Sequence, residues 1–212
     1  MNIRSIPTGP LAVNTYIVWN EGSNECVVID PANSGKIVRV LNEIGLTLKA
    51  ILITHGHFDH IMGVAKLKEA TGAKVYINRL DSKAMNDDGV NLASMVGFRV
   101  DPAQVDVFVE DNMTFTEAGI EFRVIHTPGH TKGGVCYIVE SERVIFSGDT
   151  LFYMSYGRTD LPGGDAAALH DSIVYRLFTL HGDYRVLPGH DMETTLDFER
   201  IHNMCIMNGI CE

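Results

Sequence analysis

The stretch Thr54-His55-Gly56-His57-Phe58-Asp59-His60 places three histidines and one aspartate within seven residues. The apolar and β-branched run at residues 50–54 leads directly into it and predicts a buried strand. The histidine-rich segment is then the loop at the carboxyl end of that strand, where open α/β sheets usually hold their ligands. Imidazole and carboxylate groups together suit zinc, iron or manganese, so the stretch predicts a metal site rather than a polar surface loop.

Three later segments repeat this arrangement of an apolar strand, a small or turn residue, and one side chain that can bind a metal. They are Pro128-Gly129-His130, Ser147-Gly148-Asp149 and Pro188-Gly189-His190. Proline and glycine mark the strand ends, because glycine allows the backbone to turn sharply there. The four strand ends together supply seven candidate metal ligands: His55, His57, Asp59, His60, His130, Asp149 and His190.

This combination of motifs resembles the metallo-β-lactamase fold hydrolases, and among them the short glyoxalase II-like proteins. The resemblance extends from Pro7-Thr8-Gly9-Pro10 to residues 199–203 and so covers nearly the whole chain. It implies an α/β fold, an αββα sandwich in which two mixed β-sheets are flanked by helices. It also implies that residues 1–212 form a single metallo-β-lactamase-like domain, without the C-terminal helical domain of the long glyoxalase II enzymes.

The resemblance further implies two metal sites. One ion would be bound by three histidines: His55, His57 and His130. The other would be bound by Asp59, His60 and His190, with Asp149 bridging the two. The expected cofactors are two divalent ions, with zinc favoured and iron or manganese as alternatives, and a bridging hydroxide would be the nucleophile. Asp59 and Asp149 are the candidate catalytic residues, although a carboxylate that binds a metal is a poor base for a proton-shuttle role.

The resemblance therefore predicts a zinc-dependent hydrolase acting on a small-molecule thioester or ester, of hydroxyacylglutathione type. One alternative is an iron-dependent persulfide dioxygenase, which would use one iron on two histidines and an aspartate. Another is a lactonase or other ester hydrolase on the same fold. The dioxygenase differs from the thioester hydrolase in metal content and in oxygen consumption, whereas the lactonase would use the same metals. The ligand motifs alone leave these alternatives open.

Two segments near the candidate ligands also have alternative interpretations. Residues 79–104 are polar and weakly periodic, which fits either a substrate lid or a surface connector. Arg158, in Gly157-Arg158-Thr159-Asp160, could clamp a substrate carboxylate. A structural pair between Arg158 and Asp160 is the favoured interpretation.

Composition excludes several classes of function. The 212 residues are 45% hydrophobic, which is ample material for a core. A net charge of −10 argues against general nucleic-acid binding, because such binding needs a basic surface. The sequence contains no apolar signal region at its start and no run long enough to span a membrane. We therefore expect a cytoplasmic protein whose partner is a small molecule, with no nucleic acid and no membrane.

Hydrophobic periodicity predicts four helices, at about 34–44, 60–70, 165–180 and 194–204. Ser34 and Gly45 are the predicted caps of the first helix. Cys26 and Cys136 lie in strand-like runs and are predicted to be buried. For Cys205 and Cys211, two free thiols are favoured over a disulfide.

Overall fold

Apolar, β-branched segments in the first half of the chain form a six-stranded sheet in the computed structural model, which describes residues 1–207. Its strands lie in chain order: β1 (Asn2–Thr8), β2 (Val13–Trp19), β3 (Glu25–Ile29), β4 (Thr47–Leu52), β5 (Lys74–Asn78) and β6 (Val107–Val109). The first three strands pair antiparallel, and β3 to β6 pair parallel. The predicted strand that leads into His55 is therefore a central, parallel strand.

A second six-stranded sheet is built from the second half of the chain. Its strands are β7 (Thr114–Glu117), β8 (Ile120–His126), β9 (Val135–Val139), β10 (Val144–Gly148), β13 (Arg185–Pro188) and β14 (Thr194–Thr195). Only β10 and β13 pair parallel; the other neighbours are antiparallel. A short ribbon of β11 (Leu151–Phe152) and β12 (Ser155–Tyr156) follows β10. Strands β8, β10 and β13 consequently run in the same direction and end at the same edge.

Both faces of each sheet are buried, because alternate side chains enter different apolar layers. In β2, Tyr16 and Val18 pack between the two sheets, whereas Ile17 faces the opposite way. Phe122 and Phe146 enter the layer between the sheets from the second sheet. A strand with two buried faces gives the near-continuous hydrophobic runs from which the strands were predicted.

Helices cover the outer face of each sheet. Against the first sheet lie α1 (Ser34–Ile44), the short α2 (Phe58–Ile61) and α3 (Val64–Thr71). Against the second lie α4 (Ala166–Asp171), a π-helical turn at Ser172–Leu177, α5 (Leu196–His202) and α6 (Met204–Met207). The four layers confirm the predicted αββα sandwich of two mixed sheets flanked by helices.

Helix α1 has the predicted bounds but a different first cap. The side chain of Asn33 accepts a hydrogen bond from the Lys36 amide at 3.0 Å, so Asn33 and not Ser34 is the N-cap. Asparagine and serine are both good N-caps, and the sequence offers them side by side. Gly45 ends the helix in the left-handed region, as predicted.

The helix predicted at 60–70 is wrong in its continuity, because it is divided between α2 and α3 at Gly63. The Gly63 amide donates to the Pro31 carbonyl at 2.8 Å, and the backbone of residues 31–34 lies directly against it. A Cβ at Gly63 would lie 2.4 Å from the Pro31 oxygen. This close approach divides the helix and fixes α2 against the loop that follows β3.

The two later helices also differ from their predicted form. The helix predicted at 165–180 changes from α-helix to π-helix after α4, where the Phe178 amide donates to the Ile173 carbonyl five residues back. The segment predicted at 194–204 starts as strand β14 and is interrupted at Asn203, whose side chain bonds the Ser155 carbonyl. Local periodicity does not report such tertiary contacts, and therefore it overestimates helix length.

The predicted burial of Cys26 and Cys136 is confirmed. Cys26 and Cys136 are buried free thiols, and burial raises the pKa of Cys26 to about 12 and that of Cys136 to about 11. Cys205 is also buried, whereas Cys211 lies outside the described residues. No helix within residues 1–207 is long and apolar enough to cross a membrane.

Gly63→Ala should destabilise the fold, because the added Cβ would meet three backbone atoms within about 3 Å. Overpacking of this kind costs about 1–3 kcal/mol of unfolding free energy. The control is Gly35→Ala, where the nearest atom is 3.7 Å from the new Cβ and the residue lies in helix α1. That change should stabilise by about 0.5–1 kcal/mol, since alanine favours a helix more than glycine does. Urea unfolding of both variants measures the difference, and equal stabilities would contradict the close approach.

Candidate metal centre

The seven predicted ligands converge at the edge where the two sheets meet. His55 and His57 follow β4, and the next turn, α2, carries Asp59 and His60. The other three come from the second sheet, in the loops after β8, β10 and β13: His130, Asp149 and His190. The parallel direction of these three strands brings side chains far apart in sequence to one place.

The nitrogen and oxygen atoms of these side chains form two groups. In the first, His55, His57 and His130, the potential ligand atoms all lie within 4.8 Å of one another. In the second, Asp59, His60 and His190, the same limit holds. All six side chains are buried except that of His190, which is 23% exposed. The grouping is the one that the resemblance implied.

Asp149 lies between the two groups. Its Oδ2 is 3.5 Å from His130 Nε2 in the first group and 3.6 Å from His190 Nε2 in the second. Its Oδ1 is 3.4 Å from His60 Nε2. A carboxylate in this position can contact an ion in either group, as a bridging ligand requires.

Several of these atoms have no hydrogen-bond partner although they are buried. They are His55 Nε2, His60 Nε2 and Asp149 Oδ1. A buried polar atom without a partner is costly, and groups of this kind usually satisfy their lone pairs with hydrogen bonds or by binding a metal. The unpaired atoms point into the cluster, so the residues present fit a bound cation.

Asp30, which was not among the predicted site residues, orients two of the histidines. Its Oδ1 accepts from the Thr54 amide at 2.8 Å, and its Oδ2 accepts from the Thr54 hydroxyl at 2.6 Å and from His60 Nδ1 at 2.9 Å. Since the Thr54 proton is used on Asp30, the Thr54 oxygen can accept from His55 Nδ1 at 3.1 Å. Both imidazoles are then held with Nδ1 protonated and Nε2 free to bind a metal.

Asp30, His55 and His60 are also close enough together to form a third possible metal group. The hydrogen bonds argue against that alternative, because both oxygens of Asp30 are already occupied by protein donors. The sequence did contain a signal for Asp30. Like the ligands, it directly follows an apolar strand, β3, and precedes a proline.

His130 is oriented by a backbone group rather than by a carboxylate. Its Nδ1 donates to the Arg158 carbonyl at 2.7 Å, which directs Nε2 towards Asp149 and His57. His130 Nε2 and His57 Nδ1 are 2.9 Å apart. At this distance a neutral His57 can donate its Nδ1 proton to His130 Nε2; when the His57 proton lies on Nε2 instead, the two facing lone pairs can both bind a cation.

Asp81, also missed from the sequence, joins the two loops that carry the three-histidine group. Its Oδ2 accepts from the Gly56 amide at 2.9 Å and from the Thr131 hydroxyl at 2.7 Å. Its Oδ1 accepts from the Gly133 amide at 2.7 Å. Asp81 lies in a polar stretch with no distinctive pattern, and its partners lie far away in sequence, so no local signal could have found it.

The acidic side chains make the cluster attractive to positive charge. Burial disfavours a charged His60, but the carboxylates of Asp149, Asp59 and Asp30 outweigh it and raise the pKa of His60 to about 10. Burial likewise opposes ionisation of Asp59, yet His60 and His190 lower its pKa to about 2. At His57, burial and the neighbouring His130 lower the pKa to about 3, so this imidazole is neutral and can donate a lone pair.

A cavity of about 560 Å³ opens beside the cluster and contacts His57, Asp59, His130, Asp149 and His190. Such a volume is typical of a small-molecule site. Residues of the 79–104 segment form part of its wall, so this segment lies at the rim of the candidate site. Arg158 also lines the cavity, and its guanidinium makes two 2.7 Å hydrogen bonds to Asp160. This is the structural pair that the sequence favoured.

Comparison with known sequences supports a metal-dependent hydrolase fold. Residues 8–190 match the family described as the metallo-beta-lactamase superfamily. A probable metallo-hydrolase of Bacillus subtilis, YqgX, is 35% identical, and the alignment covers 96% of each chain. The hydroxyacylglutathione hydrolase GloC of Haemophilus influenzae is 30% identical, with 96% of this chain and 97% of GloC covered.

Solved structures with similar folds agree with this family assignment. The BLEG-1 B3 metallo-β-lactamase has a TM-score of 0.91 at 35% identity, covering 96% of this chain and 98% of that one. The protein TTHA1623, solved in a di-iron-bound form, has a TM-score of 0.84 at 38% identity, covering 95% and 98%. ETHE1 from Myxococcus xanthus has a TM-score of 0.80 at 29% identity, covering 96% and 84%. Together with the histidine and aspartate groups, the di-iron neighbour supports the use of divalent metal ions.

Asp81→Asn should weaken metal binding, because an amide can replace the carboxylate at only part of its three hydrogen bonds. Loss of partners that orient ligands typically costs 10–100-fold in metal affinity, and we expect a loss of about ten-fold here. Asp171→Asn, an exposed aspartate on α4, is the matched control. Titration of the metal-free proteins with Zn²⁺ against a competing chelator measures both affinities. Equal affinity in the Asp81 variant and the control would contradict the role assigned to Asp81.

Proposed function

Because this chain belongs to the metallo-β-lactamase superfamily, we propose that it is a dinuclear metallohydrolase that cleaves small-molecule thioesters or esters. The first ion is held by His55, His57 and His130. The second is held by Asp59, His60 and His190, and Asp149 bridges the two. Zinc is the proposed metal, with iron as the alternative because a similar protein is solved with two irons.

The observation that carries this proposal is the position of Asp149 between two three-residue groups. Its two oxygens are 3.4–3.6 Å from ligand nitrogens of both groups. A single ion needs only one such group, and a bridging carboxylate would then have no second partner. Two ions of this kind, when bound, polarise a carbonyl and lower the pKa of bound water from about 15.7 towards 7, which supplies a nucleophile at neutral pH.

The protein's own contribution is orientation and burial. The Asp30 carboxylate and the Thr54 hydroxyl hold the rings of His55 and His60, and the Arg158 carbonyl holds that of His130. Gly189 lets Asp149 and His60 approach the loop of His190, since a Cβ there would lie 2.3 Å from Asp149 Oδ1. These constraints fix the positions of the metal-binding side chains before any ion binds, so metal binding requires little reorganisation.

A thioester is the favoured substrate because a thiolate leaves without protonation, so its cleavage does not depend on an acid such as Tyr156 or Asp191 on the cavity wall. The similarity to GloC supports the same choice. The iron dioxygenase alternative requires one ion on two histidines and an aspartate. The cluster contains seven potential metal ligands, more than the three that the dioxygenase would use, and this favours hydrolysis.

The function is tested by steady-state kinetics on a panel of a thioester, a simple ester, a lactone and a β-lactam, with metal-loaded and chelator-treated protein. We expect thioester cleavage that disappears on metal removal and returns when Zn²⁺ or Fe²⁺ is added back. Oxygen uptake with a persulfide substrate, in the absence of any hydrolysis, would support the dioxygenase instead and overturn the proposal.

Asp149→Ala should reduce metal occupancy in both groups and lower the rate of hydrolysis by orders of magnitude, since one carboxylate serves both ions. His202→Ala and Asp171→Ala, both at exposed positions away from the cavity, should leave metal content and rate near normal. Elemental analysis and kinetics on the three variants check this. Retention of two ions and full activity in Asp149→Ala would rule out the bridging role.

A further inference from the structure

The wall of the cavity that faces the metal cluster is apolar and open to solvent. The segment Leu92–Phe98 supplies much of it, through Leu92, Met95, Val96 and Phe98. Met95 is 64% exposed, Val96 is 55% exposed, and Leu11, which also lines the cavity, is 54% exposed. Large apolar side chains gathered around a catalytic cavity indicate a surface that a ligand covers.

This wall is a built part of the structure rather than a loose loop. The Asn91 side chain donates to the Ala84 carbonyl at 2.8 Å and accepts from the Ala93 amide at 2.9 Å. The Phe58 amide donates to the Asn91 carbonyl at 2.9 Å. These bonds hold Leu92 in the left-handed region at φ 71°, an uncommon conformation for leucine. The segment therefore has a fixed position relative to α2.

An aromatic contact ties the wall to the ligands themselves. The Phe98 ring stacks on the Phe58 ring, with 5.6 Å between the centroids. Phe58 is the first residue of α2, and the next two residues are Asp59 and His60. A group that lies on this wall is thus positioned directly beside the proposed metal site.

Away from the proposed metal ligands, the wall of the cavity offers an anionic group few partners. Among the described residues that line it, the one lysine or arginine is Arg158, whose Nε and Nη2 donate to Asp160. Asp191 adds negative charge to the rim. On this wall a substrate carboxylate would meet a single cationic side chain, which is already paired with Asp160, whereas an apolar chain finds several partners.

We infer that the cavity binds an uncharged, apolar acyl chain against Met95, Val96 and Phe98. This inference rests on the proposed function, because it names the acyl part of the thioester or ester that is cleaved. The substrate class is then a medium-length acyl thioester or ester with a small, neutral leaving group. Glutathione has two carboxylates, and among the described lining residues Arg158 is the one lysine or arginine that could pair with them.

The test uses metal-loaded protein and thioesters of one neutral thiol, N-acetylcysteamine, with acetyl, butyryl and hexanoyl chains. Each methylene that is fully buried should raise kcat/KM by up to about four-fold. We expect at least a ten-fold rise from acetyl to hexanoyl. In Met95→Ser/Val96→Ser the rise should fall to three-fold or less, mainly through a higher KM for hexanoyl. Hexanoyl-glutathione should be no better a substrate than the neutral hexanoyl thioester.

The matched control is Ile201→Ser/Met204→Ser, which removes exposed apolar side chains that do not line the cavity. It should retain the full dependence on chain length. Absence of any hydrolysis by protein that carries its metal would defeat the proposed function. Hydrolysis of acetyl thioester without a chain-length effect, or an effect that survives in Met95→Ser/Val96→Ser, would defeat the acyl-chain inference alone. A ten-fold preference for hexanoyl-glutathione would also contradict it.

Discussion

The rest of this structure depends on one constraint: histidine and aspartate side chains bring buried lone pairs together at the edge where the two sheets meet. His55 Nε2, His60 Nε2 and Asp149 Oδ1 are buried without hydrogen-bond partners. Burying such groups is costly unless positive charge compensates them. Divalent ions supply that charge, so metal binding and the stability of this edge should be coupled.

The direction of the strands brings these side chains together. Strands β4, β8, β10 and β13 all deliver their carboxyl ends to the same edge, and the loops after them carry the ligands. Asp30 and Asp81 then connect these loops by hydrogen bonds between segments that are distant in sequence. The positions of the ligand side chains are determined by both sheets together, and neither sheet alone would form the cluster.

Much of this arrangement could be predicted from sequence, because each ligand follows an apolar strand and a small or turn residue. That pattern predicted all seven candidate ligands. Together with the resemblance, it also predicted the two mixed sheets and the flanking helices. Asp30 also follows an apolar strand, β3, although with no small residue between them, and it could have been included. Asp81 could not, since its acceptor role depends on the amides of Gly56 and Gly133, which only the fold brings near.

The break at Gly63 was likewise missed, because the cause is the backbone of residues 31–34. The interpretation of residues 79–104 as part of the rim needed the stacking of Phe98 on Phe58.

The most direct test of the dinuclear proposal is X-ray diffraction from crystals of the metal-loaded protein, with data collected on both sides of the metal's absorption edge. Two anomalous peaks should appear about 3.5–4 Å apart. One should be bound by His55, His57 and His130, the other by Asp59, His60 and His190, with Asp149 in contact with both. A single peak in fully loaded protein, or an ion bound by Asp30, would contradict the proposed centre.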